Sequence, residues 1–105
     1  YNTEFLIDNL TLPGTDELFD IMLQYINDFF ERGEIQKIRV RNILVRIIKR
    51  SEKQLKGKKT KTARNSLNDF KRELKLYRNE QISAECYRTL KDYADFILYV
   101  MKSTH

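Results

Sequence analysis

Residues 40–48 read VRNILVRII. Five of these nine residues are β-branched, so the stretch taken alone passes for a buried strand. Its surroundings decide against that. Val40, Leu44, Ile48 and Leu55, with Ile43 and Ile47 beside them, recur at helical spacing, while Arg39, Arg41, Arg46 and Lys49 fall on the other face. That period of 3.6 predicts a helix from about Glu34 to Lys56, ended at Gly57. The rest of the bundle follows from this choice, because a strand here would demand a sheet and the segments after residue 14 offer only helices.

Upstream, Gly14-Thr15-Asp16-Glu17 opens a helix: Thr15 or Asp16 can cap it, and acids suit its positive end. Leu18, Met22, Tyr25 and Phe29 form one apolar stripe, with Phe19, Leu23, Ile26 and Phe30 forming a second beside it. Gly33 ends this helix by taking a left-handed backbone. Downstream, Ala63, Leu67, Phe70, Leu74 and Tyr77 repeat at a 4-3-4-3 spacing over about Thr60 to Tyr77. Asn79-Glu80-Gln81 is the connection to a last helix. Ser83 caps that helix, and Cys86, Leu90, Tyr93 or Ala94, Ile97 and Met101 face inward. Short connections between long helices make neighbours antiparallel. The expected fold is all-α: an antiparallel up-down four-helix bundle over residues 15–102, with a short extended arm over 1–14 and a frayed tail over 103–105.

Composition agrees. Gly (3) and Pro (1) are scarce and charged residues reach 33%, a balance of helices and not of a β-sandwich or a disordered tail. No apolar run approaches the roughly 18 residues of a membrane span. One cysteine, Cys86, cannot form an internal disulfide or a cysteine-based zinc site; on an apolar stripe it reads as a small buried hydrophobe. The lone His105 is the last residue and is not held as a catalytic base. No phosphate loop, HExxH, Cys/His cluster or EF-hand loop is present, so no catalytic, metal or cofactor residue is assigned.

Charge placement is the strong physical feature. Between Lys49 and Arg64 the chain carries eight bases and one acid, whereas residues 1–48 sum to −3 and residues 65–105 to +1. The bases Lys49, Arg50, Lys53, Lys56, Lys58, Lys59, Lys61 and Arg64 are therefore candidate polyanion ligands, for an acidic polysaccharide, a wall polymer or nucleic acid. A solubilising connection is the plain alternative. The run has no aromatic residue for base stacking and mostly lysine, so it speaks against sequence-specific nucleic-acid recognition. Among the six tyrosines, Tyr25, Tyr87 and Tyr93 fall on or beside core stripes, while Tyr77 and Tyr99 lie at the edge and are candidates to stack on a sugar ring. Phe29, Phe30 and Tyr99 are candidates for surplus apolar surface that could pair two copies; the oligomeric state itself is open.

The run from Gly33 to Leu98 resembles the FIMAH domain. The resemblance rests on Gly33 and Ile35, Leu44, Gln54-Leu55 with Gly57, Ala63 with Leu67 and Phe70, Ile82-Ser83, and Ala94-Asp95. With the first helix it covers roughly residues 16–100. Two departures are Ser51, where the family often has Ala, and the lysine load of the loop. The resemblance implies a helical, non-catalytic module of large secreted or cell-surface bacterial enzymes, mostly Gram-positive, whose partners include neighbouring domains of the same polypeptide. It offers no catalytic residues. FLIDNLTL at residues 5–12 alternates apolar and polar and resembles the last strand of jelly-roll carbohydrate-binding modules, with Pro13-Gly14 as the turn between domains. The chain, starting at Tyr1 without Met, then reads as a piece of a longer one. The expected role is an accessory module of a carbohydrate-active enzyme, aiding attachment to substrate or cell surface, or spacing domains. The competing role is a basic helical protein that binds nucleic acid or another polyanion.

Overall fold

A computed structural model describes residues 15–103. The arm expected over residues 1–14 lies outside the described residues. Four helices follow one another: α1 Thr15–Glu31, α2 Ile38–Lys56, α3 Thr60–Tyr77 and α4 Ala84–Ser103. VRNILVRII lies inside α2, with Val40, Leu44, Ile47 and Ile48 buried and Ile43 partly so. Each helix packs on two others, α1 on α2 and α4, α3 on α2 and α4, and the diagonal pairs make no backbone approach. Neighbours run antiparallel: Lys71 meets Asp95 while Arg78 meets Tyr87, and Arg50 meets Asp69 while Gln54 meets Ser66. The core fills from all four, with Phe19, Met22, Leu44, Ile48, Leu67 and Phe70 fully enclosed.

Three expectations change. First, α2 starts at Ile38, four residues later than Glu34. Residues 34–37 instead pair with the α3–α4 connection: Ile35 bridges Ile82, Gln36 N–H donates to the Gln81 carbonyl (2.9 Å), and Ser83 N–H donates to the Glu34 carbonyl (3.0 Å). Ser83 Oγ also donates to Glu34 Oε1 (2.7 Å) while accepting the Cys86 N–H that caps α4 (3.0 Å). Two loops 49 residues apart thus form one clasp over the end of the core, with Ile35 and Ile82 both buried. A helical Glu34–Lys37 would surrender these cross-loop bonds.

Second, Arg41 is not on the outer face. Its Nη1 donates to Asn27 Oδ1 (2.9 Å) and its guanidinium lies over the Phe30 ring, 5.2 Å from the centroid, tying α2 to α1. Third, Ser103, placed in the tail, is the last residue of α4.

The helix stops show where glycine is needed. Gly33 takes φ +82, with Glu34 N–H on the Phe29 carbonyl and Gly33 N–H on the Phe30 carbonyl, a Schellman ending. At the end of α2 the same bonds run from Lys59 to Gln54 and from Lys58 to Leu55. There the left-handed residue is Lys58 (φ 64), because Gly57 keeps φ −83. After α3, Arg78 (φ −57, ψ 134) and Asn79 (φ 67) build a type II turn closed by Glu80 N–H on the Tyr77 carbonyl (3.1 Å). A Cβ at Gly33 would meet nothing within 4 Å, so Gly33→Ala costs through backbone strain alone. It should lower the unfolding free energy by about 1 kcal/mol, whereas Lys58→Gly should raise it by about 0.5–1 kcal/mol. Urea unfolding of both variants reads the opposite signs.

Candidate functional site

The α2–α3 junction is the basic end expected from the sequence. Lys49, Arg50, Lys53, Lys56, Lys58, Lys59, Lys61 and Arg64 are all exposed. Two of them have work inside the fold. Arg50 donates from Nε to Ser66 Oγ (3.2 Å) and meets Asp69 at 3.4 Å, and Lys56 sits 3.7 Å from Glu52. The other six pair with no acid among the described residues. A tight polar seam holds the junction: Ser51 Oγ donates to the Ala63 carbonyl (2.8 Å), and Ser66 Oγ donates to Gln54 Oε1 (2.7 Å). Ser51 and Ala63 are fully buried, so α2 and α3 meet across two small residues. Ser51 keeps the close approach and adds one bond.

A second basic surface lies between α3 and α4. Its groove, about 630 Å³, is lined by Lys71, Arg72, Lys75 and Arg78 from α3 and its end, and by Tyr87 and Lys91 from α4. Asp95 bridges Lys71 (2.5 Å) and Lys91 (3.1 Å). Burial pushes the Asp95 carboxyl up, but hydrogen bonds from Lys71 and Lys91 outweigh it and hold the group below the usual range. Asp69 is shared by Arg72 and Arg50. Lys75 has no acid partner among the described residues, and Arg78 lies over the Tyr87 ring, 5.1 Å from its centroid. Nothing in residues 65–105 advertises this groove, because their net charge is only +1. The helix period would have shown it: Lys61, Asn65, Asn68, Arg72 and Lys75 are one exposed 4-3-4-3 stripe opposite the apolar one.

The tyrosines divide differently from expectation. Tyr77 is partly buried against the core, and burial, then the Glu73 carboxylate, pushes its phenol up. Tyr99 is 68% exposed. Tyr77 precedes α4 while Tyr99 is 15 residues into it, about 22 Å along the axis, so the two do not form one platform. Tyr25, expected in the core, is 37% exposed and meets Tyr93 edge to face at 5.3 Å; Tyr93 in turn meets Phe96 at 5.7 Å. Exposed aromatic surface therefore comes from Tyr25, Phe96 and Tyr99. Phe29 is core, and Phe30 is partly buried against it.

Chemistry is scarce. Among the described residues no three His, Cys, Asp or Glu side chains gather as a metal site would need, and no helix is long and apolar enough to cross a membrane. Cys86 is a free, buried thiol pushed up to about 12, by burial first and then by the Glu34 carboxylate. A raised folded value means its contribution to stability is complete below the unfolded thiol's roughly 8.5 and declines as pH rises toward 12. At pH 8 a thiol reagent should label the native chain only as fast as it unfolds, and the urea-denatured chain at once. Rapid native labelling would contradict the burial.

The FIMAH domain family model matches residues 19–99. The chain belongs to the FIMAH family. No curated protein and no solved structure matches it. FIMAH is a helical accessory domain of multidomain proteins and not a catalytic fold. The clasp and the stops explain the residues that carry the family likeness. Gly33, Ile35, Ile82 and Ser83, far apart in sequence, meet in one place, while Leu44, Ala63, Leu67 and Phe70 fill the FIMAH core.

Proposed function

We propose that this FIMAH chain is a non-catalytic accessory module of a secreted multidomain bacterial carbohydrate-active enzyme. Its α2–α3 end attaches that enzyme to an acidic substrate or cell-surface polymer. Family membership over residues 19–99 carries the reading. The exposed bases of the α2–α3 end support the attachment role, since six of them have no acid to satisfy among the described residues. The likeness of residues 5–12 to a closing strand of a carbohydrate-binding module points the same way. The parent reading frame tests it: a long frame with an export signal and a catalytic carbohydrate-active domain is the expected result. A short frame without an export signal would overturn the reading.

The lysine run favours one other reading, a basic helical protein that binds nucleic acid. Phosphate neutralisation needs only point charges, which lysines supply. Duplex DNA bound more tightly than any polysaccharide, at physiological salt, would establish it.

A further inference from the structure

The bases that the fold leaves exposed do not stop at the α2–α3 junction. Along α3 the stripe Lys61, Asn65, Asn68, Arg72 and Lys75 carries no acid, and it runs from the lysine end into the α3–α4 groove. The fourteen helical steps from Lys61 to Lys75 make that track about 21 Å long. Across the groove stand Lys91 and, at its far end, Arg78. Two acids reach into the region. Asp69 is already shared by Arg50 and Arg72, and Asp95 by Lys71 and Lys91, so neither cancels Lys75 or Arg78.

We propose that the α3–α4 groove is a binding track for a linear carboxylated polysaccharide, entered from the lysine end. This rests on the attachment role proposed above and names where the polymer lies and what it is made of. The chemistry of the lining selects the ligand. Arg78 offers a planar fork that matches a carboxylate and Lys75 a point charge, while Arg72 and Lys91, already paired with Asp69 and Asp95, flank them. Asn65 and Asn68 place neutral amides between the charges, each able to donate to and accept from sugar hydroxyls. A polymer that alternates carboxylates with hydroxyls uses both kinds of group. A single-stranded nucleic acid would want an open aromatic face, and the one ring in the groove, Tyr87, carries Arg78 over it. The groove's volume of about 630 Å³ falls within the roughly 300–1,000 Å³ of ligand sites.

The test uses the 105-residue chain with three probes of equal length: a uronate hexasaccharide, a neutral glucose hexasaccharide and a single-stranded DNA hexamer. Amide resonances report where each binds. Two variants separate the surfaces, Asn68→Glu with Lys75→Glu in the groove, and Lys53→Gln with Lys56→Gln on the outer face of α2. All four positions are at the surface, and thermal melting verifies that the variants fold. The expected result is uronate shifts at Asn65, Asn68, Arg72 and Lys75, with affinity at least about tenfold lower in the groove variant and a smaller loss in the α2 variant. Shifts confined to the α2–α3 end, with the groove variant unaffected, would overturn the track and leave the attachment role standing. Absence of binding by the uronate hexasaccharide would overturn the track, and absence of binding by a long polyuronate as well would overturn the attachment role. Equal binding of the neutral hexasaccharide, or tighter binding of the DNA hexamer in the same groove, would also overturn the carboxylated-polysaccharide assignment.

Discussion

Phe70→Ala is expected to lower the unfolding free energy by about 3–5 kcal/mol, the cost of removing a large enclosed side chain that its surroundings only partly refill. Phe70 is fully buried in α3 at the heart of the four-helix core. For a bundle whose whole stability is on the order of 5–15 kcal/mol, that loss is at least about a fifth of the margin and at the low end all of it. The variant should melt tens of degrees lower or be unfolded at 37 °C, since about 1 kcal/mol moves the midpoint of a domain this size by roughly 4–8 °C. Leu76, six residues on and 68% exposed, is the internal comparison: Leu76→Ala should change stability by less than about 0.5 kcal/mol. Calorimetry of the pair measures both. A loss below 1 kcal/mol at Phe70 would mean that the four apolar stripes do not meet as described.

The second large effect concerns binding. Changing Lys53, Lys56, Lys58, Lys59 and Lys61 to Gln removes five positive charges from the α2–α3 end while touching one ion pair, the contact of exposed Lys56 with half-buried Glu52 at 3.7 Å. Folding should survive, because surface ion pairs contribute about 0–1 kcal/mol and Gln at Lys58 leaves the left-handed backbone no worse. Affinity for a long polyuronate at low salt should fall by about 100-fold or more. The slope of log affinity against log salt should flatten as well, because each lysine removed releases one fewer counterion. Fluorescence titration at several salt concentrations gives both quantities. An unchanged slope would make the lysine run a solubilising connection and nothing more.

Particular residues show what can be read before folding. Val40, Leu44 and Ile48 gave α2 its identity because helical spacing is a local property, and Phe70 gave its place in the core for the same reason. Glu34–Lys37 did not, since its structure is decided by Ile82 and Ser83 some 49 residues away. Lys58 hides a left-handed turn behind Gly57, where composition points to the glycine. The basic end was legible because its charges are consecutive. The groove was not, because Arg72, Lys75, Arg78 and Lys91 are interspersed in sequence with acids, of which Asp69 pairs with Arg72 and Asp95 with Lys91. Ser66 looks like an ordinary surface polar in sequence and Arg50 like one more base of the run, yet they hold the seam beneath the lysines.

The most direct measurement is a calorimetric titration of the chain with a linear polyuronate and with the same polymer fully methyl-esterified, each at low and at physiological salt. Esterification removes the charge and keeps the sugar backbone. The account predicts binding of the acid form, weakened by salt, and none of the ester. Equal binding of both forms, or binding of neither, would contradict it.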